Sequence, residues 1–134
     1  MLYPDVCPFC GRLTDGGICD SCASRVHLIH EPRCRKCGKP IEDVRGELCG
    51  DCAGKRHYFT AGRSLYLHVP PVKQAVYDFK YKNRRIYGGI FGRMMAAEFE
   101  GLLRSWNICC IIPIPLHRSR RRERGYNQAE ILAG

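Results

Sequence analysis

Cys7-Pro8-Phe9-Cys10-Gly11 and Cys19-Asp20-Ser21-Cys22 are followed by Cys34-Arg35-Lys36-Cys37-Gly38 and Cys49-Gly50-Asp51-Cys52, a small unit written twice. The spacing has a chemical reason. Two residues between cysteines let one tight turn carry both sulfurs to a single ion. Gly11 and Gly38, each directly after a cysteine, supply the positive φ such a turn favours. Two knuckles joined by a short loop then give the four thiolates of a closed tetrahedral zinc site, and the duplication predicts two of them. Cys7, Cys10, Cys19, Cys22, Cys34, Cys37, Cys49 and Cys52 are therefore the candidate ligands of two zinc ions. Sequential grouping is one arrangement; a cross-brace pairing the first knuckle with the third uses the same residues.

Composition narrows the setting. The chain has 134 residues, 45% hydrophobic and 26% charged, which excludes a disordered chain. No apolar run approaches the roughly 18 residues of a membrane span, and Met1-Leu2-Tyr3-Pro4-Asp5 lacks the basic and apolar regions of a secretory leader. A cytoplasmic protein is expected. In that compartment ten cysteines point to metal rather than disulfides. About 50 residues with few large apolar side chains bury too little surface to fold alone, so metal is the staple. His27 and His30 lie between the two units and read as linker residues, because eight sulfurs already satisfy two ions.

Charge divides the chain. Residues 1–56 hold nine Lys/Arg against eight Asp/Glu, whereas residues 57–134 hold thirteen against five, a net of +8. Two four-thiolate zinc sites would bring the first part to about −3, so any polyanion partner belongs to the second. The expected organisation is a zinc ribbon over 1–56 and a separate α/β domain from 57.

Within the basic half, Arg63–Val69 alternates and reads as a strand closed by Pro70-Pro71. Val72, Ala75, Val76 and Phe79 recur at helical spacing, predicting a helix that ends near Tyr81. Lys82-Asn83-Arg84-Arg85 reads as a basic loop. Phe91, Met95, Phe99, Leu102 and Trp106 mark the core face of a second helix over about 88–105. Ile108-Cys109-Cys110-Ile111-Ile112 predicts a strand buried on both faces, with both cysteines as small buried hydrophobes. Strand, helix, helix, strand in this order argues for an α/β sheet.

After that strand come Arg118, Arg120, Arg121, Arg122 and Arg124, ahead of a predicted helix start. Ligands of open α/β sheets sit beyond the carboxyl ends of strands, and guanidinium forks match phosphate oxygens. The stretch is a candidate phosphate or pyrophosphate site; a solvated basic loop is the alternative.

A double zinc ribbon, then Val76-Tyr77-Asp78-Phe79-Lys80-Tyr81, then Pro113-Ile114-Pro115-Leu116-His117 with Arg124-Gly125-Tyr126-Asn127-Gln128, resembles the ComF family of competence-associated, phosphoribosyltransferase-like proteins. The resemblance implies a double zinc ribbon followed by the front part of a type I phosphoribosyltransferase fold. It implies a role in DNA uptake, with single-stranded DNA or a phosphoribosyl pyrophosphate-like ligand as partner, alongside a competence-machinery protein. Arg120, Arg122 and Arg124 would carry the anion contacts, with Arg118, Arg121 and Lys80 beside them.

Enzymes of that fold hold phosphoribosyl pyrophosphate through paired acids and a Thr/Gly-rich loop on a later strand. Here Asp78 is the only aspartate after residue 57. The expectation is a truncated or partial chain that binds and does not transfer, with no catalytic residue assigned. Two alternatives stay open. One is the front part of an active phosphoribosyltransferase acting on a nucleobase or amide acceptor; the other is a zinc-ribbon nucleic-acid-binding module.

Overall fold

The computed structural model describes residues 5–43 and 45–134. Met1 to Pro4, read above for a leader, lie outside them. In chain order the elements are β1 (Asp5–Val6), β2 (Leu13–Thr14), α1 (Asp20–Ala23), α2 (Gly50–Ala53), α3 (Val72–Tyr81), α4 (Ile86–Ser105), α5 (Arg118–Arg124) and α6 (Gln128–Ala133). They fall into two compact units. One joins Met1–Arg25 to Val69–Gly134, and the other is Val26–His68. The change in composition near residue 56 is thus not where the compact units part, because the first knuckle pair travels with the helices.

In the first unit, β1 and β2 pair antiparallel, Asp5 opposite Thr14 and Val6 opposite Leu13. α3 runs over the predicted span and buries Val72, Ala75 and Phe79. A left-handed Asn83 (φ 53°) turns the chain into α4, with Arg85 Nε donating to the Asn83 side chain at 2.9 Å. Phe79, Tyr87 and Tyr126 form the buried cluster, and Val6, Phe91, Ile131 and Leu132 pack against it. Phe79 meets Phe91 edge-on with centroids 5.9 Å apart, a pairing that adds about 0.5–1.5 kcal/mol beyond burial. The ribbon is tied to the same cluster. Phe9 lies 6.2 Å from Phe91, and Arg93 pairs with Asp5 at 2.7 Å.

In the second unit, Ile29 N–H donates to Leu65 and Leu67 N–H to His27, each at 3.0 Å, around a single bridge between Leu28 and Tyr66. The strand predicted over Arg63–Val69 is therefore reduced to one bridge. Its backbone finds a ribbon loop beside it instead of a second strand.

Ile108–Ile112 also departs from expectation. It is irregular and open, with Ile112 81% exposed and Cys109 and Cys110 exposed as well. The apolar run records a preference for burial, but a strand needs a neighbour to pair with. The sheet formed among the described residues is β1–β2 alone, so the predicted α/β sheet is not assembled and this unit is helices packed on a ribbon. The same cause exposes Met95 and Trp106, read above as core. With Phe99, Leu103 and Ile111–Ile114 on its walls, an open apolar cavity of about 390 Å³ lies between α4 and α6. No helix among the described residues is long and apolar enough to cross a membrane.

α4 meets α6 at Gly88 and Gly92. A Cβ on Gly88 would collide with Ile131 Cγ2 and stand 2.9 Å from Phe79, whereas Gly101 of the same helix faces open space. Gly88→Ala should destabilise by about 1–3 kcal/mol through overpacking, while Gly101→Ala should stabilise by up to about 1 kcal/mol through helix propensity. Thermal melts of the two variants check this; shifts of the same sign would refute the close α4–α6 contact.

Candidate metal centres and a basic helix

The knuckle hydrogen bonds of the two ribbons correspond. In the first, Gly11 N–H donates to Cys7 at 2.8 Å and Cys7 N–H to Arg12 at 2.7 Å. In the second, Gly38 N–H donates to Cys34 at 2.9 Å and Cys34 N–H to Lys39 at 2.7 Å. Gly11 and Gly38 have φ of 75° and 76°, the left-handed conformation predicted for them. The second knuckle of each ribbon opens a one-turn helix, α1 or α2, in which Cys22 and Ala23 donate to Cys19, and Cys52 and Ala53 to Cys49, all at 2.9 Å.

These turns gather the sulfurs into Cys7, Cys10, Cys19, Cys22 and Cys34, Cys37, Cys49, Cys52, each set lying within 4.8 Å of itself. The grouping is sequential, not cross-braced. A tetrahedral ion with bonds of about 2.3 Å holds its sulfurs about 3.8 Å apart. Cys10 and Cys19 stand at 3.5 Å and Cys37 and Cys49 at 3.7 Å, so the donor set fits zinc. His27 and His30 are exposed and belong to neither set.

Four thiols this close cannot all ionise without a cation. The hydrogen bond from Ser21 and then that from Cys10 draw the Cys19 thiol down to about 6 against its desolvation. Burial pushes the Cys22 thiol up to about 12. In the second site burial opposes ionisation of Cys34, but backbone N–H groups of Cys37, Cys49 and Lys36 prevail and bring it to about 6. Burial raises Cys52 to about 12. A dication removes this conflict by paying for every thiolate at once, which makes metal binding and ribbon folding one process. All four positions are filled by sulfur, so the centres are structural, with no open position for a substrate.

One asymmetry separates the ribbons. A Cβ on Gly38 would stand 2.8 Å from both Arg63 Cα and the Gly62 carbonyl, and Gly62 N–H donates to Lys36 at 2.6 Å. Around Gly11 there is open space. The 62–64 segment is thus laid directly against the second metal loop.

The arginine-rich stretch is helix α5, not the loop expected from sequence. His117 caps it, its Nδ1 accepting from Ser119 N–H at 3.4 Å, and Gly125 (φ 76°) ends it. Arg120 pairs with Glu123 at 3.0 Å and Arg121 with Glu130 at 3.5 Å. Arg124 donates to Tyr81 Oη at 3.0 Å and to Gln128 Oε1 at 3.1 Å, and its guanidinium stacks 4.7 Å from the centre of the Tyr81 ring. Arg118 and Arg122 have no ion-pair or hydrogen-bond partner among the described residues. Lys80 and Arg124 come together on a polar cavity of about 290 Å³ that the other four arginines do not line.

The Gly125–Gln128 segment has a fastening role that sequence reasoning missed. The buried Tyr126 hydroxyl donates to the Phe79 carbonyl, and burial raises its pKa, keeping it a donor. Asn127, 2% exposed, donates to the Ile114 carbonyl at 3.0 Å and accepts from Ala129 N–H at 3.0 Å, capping α6. Gln128 Nε2 reaches the Lys80 carbonyl at 3.5 Å. Arg85 covers the Tyr126 ring at 4.8 Å and donates to the Gly125 carbonyl at 3.2 Å. Three consecutive large polar or aromatic residues after a glycine were the available signal.

Two outcomes follow for the metal centres. The double substitution Cys7→Ser/Cys22→Ser should leave one zinc per chain and Cys7→Ser/Cys34→Ser none, counted by native mass spectrometry; a cross-brace predicts the reverse. Gly11→Ala should cost about 1–2 kcal/mol for its φ alone, and Gly38→Ala clearly more, because its Cβ also meets backbone. Equal losses in denaturant titrations would count against the packing of 62–64 on the second loop.

A family model described as a double zinc ribbon domain matches residues 1–53. The chain is 29% identical over 125 residues to competence protein ComFC of Bacillus subtilis, covering 89% of this chain and 51% of that protein. It is 23% identical over 125 residues to competence protein F of Haemophilus influenzae, covering 91% and 53%. Against the DNA utilization protein YhgH of Shigella flexneri it is 26% identical over 139 residues, covering 98% and 60%. The chain therefore spans about half to three fifths of the length of these curated relatives. No solved structure matches it. The double zinc ribbon match, the two four-cysteine groups and these relatives together support the resemblance to the ComF family.

Proposed function

We propose that this chain binds single-stranded DNA during DNA uptake in the cytoplasm, through the exposed arginines of α5, while the zinc centres serve as structural supports. The carrying observation is the unpartnered pair Arg118 and Arg122. They lie one turn apart on the same helix face, where like charges repel and weaken a helix unless an anion lies between them. Charge favours the same side of the molecule. The unit containing α5 has fourteen Lys/Arg against eight Asp/Glu, about +4 once its zinc site is formed. The Val26–His68 unit falls to about +1 by the same count. Relatives named for competence and for DNA utilization support the reading.

On the same resemblance, residues 57–134 correspond to the front part of a phosphoribosyltransferase-like domain, and a competence-machinery protein is the expected neighbour. Phosphate chemistry at α5 is common to a DNA strand and to phosphoribosyl pyrophosphate. Competition between the two tells whether they use the same arginines.

Arg118→Ala/Arg122→Ala should lower the slope of log affinity against log salt by about 1.4 for a single-stranded oligonucleotide, at about 0.7 per phosphate contact. Fluorescence anisotropy between low and moderate salt measures it, and an unchanged slope would remove α5 from the interface.

A further inference from the structure

Tyr77 and Tyr81 belong to a segment that neither the metal centres nor the arginine helix accounts for. They stand one turn apart on the outer side of α3, 51% and 48% exposed, with ring centroids 5.0 Å apart. Two tyrosines side by side in water forgo the burial that aromatic rings favour. Cations already lie on this pair: Lys82 Nζ is 5.9 Å from the Tyr77 centroid and the Arg124 guanidinium 4.7 Å from that of Tyr81. Both rings, with Lys80, Asn83, Glu123 and Arg124, line the polar cavity of about 290 Å³. The acids nearby are engaged: Glu123 is held by Arg120 at 3.0 Å, and Asp78 by Lys82 at 3.0 Å.

Arg124 is itself immobilised. Tyr81 Oη and Gln128 Oε1 take its two terminal nitrogens, while its buried Nε has no hydrogen-bond partner. Its plane over Tyr81 is therefore set before any ligand arrives. Exposed aromatic faces interleaved with fixed cations are the physical requirements for holding unpaired bases. Every base offers a π-face, and the phosphates between bases need cations at short intervals. A duplex, with its bases stacked inside, has no face to offer.

We infer that Tyr77 and Tyr81 form a stacking platform for unpaired bases of a single-stranded nucleic acid, with Lys80 and Arg124 taking the phosphates beside it. This rests on the proposed single-strand binding and adds where the bases lie; α5 then tracks backbone charge and α3 the bases.

The test uses the zinc-loaded full chain with two fluorescent probes of about 16 nucleotides, an oligo-dT and an abasic deoxyribose-phosphate strand. Tyr77→Leu/Tyr81→Leu should weaken oligo-dT binding about tenfold or more, as stacking of about 1–3 kcal/mol per base requires. It should leave the salt slope and abasic-strand binding as they were. Tyr77→Phe, which keeps the ring and leaves Tyr81 Oη on Arg124, should keep wild-type affinity, and zinc content and melting temperature report that each variant is folded. Unchanged oligo-dT affinity in the folded leucine variant would overturn the platform while leaving strand binding by α5 intact. An equal loss for the abasic strand would overturn it too. If the wild-type chain holds neither probe, single-strand binding falls and the platform with it.

Discussion

Four sulfurs that repel one another as thiolates, and lie within 4.8 Å because two tight turns put them there, are stable together only around a cation. The ribbons depend on that balance. In the first, closing the metal loop sets β1 and the Cys7–Gly11 turn, and these carry Val6 and Phe9 onto the aromatic cluster of Phe79, Tyr87, Phe91 and Tyr126. The first zinc centre is therefore part of the support of the helical unit. In the second, the same turn presses Gly38 against the 62–64 backbone and builds a unit of its own. One duplicated sequence thus serves two mechanical purposes, and the residues outside the knuckles decide which.

The segment Arg124 to Gln128 shows why a strongly patterned motif need not be a ligand site. Tyr126, Asn127 and Gln128 are each mostly buried, and their polar ends are spent on the Phe79, Ile114 and Lys80 carbonyls. A buried polar group left without a partner costs more than a made hydrogen bond gains, so such a segment tolerates little change. It binds α3, α6 and the 113–115 stretch into one body. Arg124, at its start, is the point where this framework meets solvent. Its guanidinium is fixed by framework residues yet lies on an open polar cavity.

Charge and framework are separated in space along α5. Glu123 and Glu130 neutralise Arg120 and Arg121, and Arg124 is absorbed by Tyr81 and Gln128, leaving Arg118 and Arg122 as the exposed excess. Five arginines within the 7 residues of α5 thus resolve into three different physical roles. Those roles follow from helical spacing and from which neighbours α3 and α6 bring near.

Local chemistry was legible from the order of residues alone. Two cysteines separated by two residues and followed by glycine can make only a few turns, so the eight ligands, the zinc stoichiometry and the left-handed glycines could be read directly. The span of α3 was equally readable, because Val72, Ala75 and Phe79 repeat at the helical period. What the neighbours are could not be read that way. Grouping of sulfurs into sequential sites depends on which knuckles meet, and the division of the chain on where the first ribbon packs. The fate of Ile108–Ile112 depends on whether a strand lies beside it. Apolar composition states a preference for burial but names no partner, and charge states an excess but not which arginines neighbours will neutralise. Those outcomes belong to contacts between residues far apart in the chain, and tertiary structure decided them.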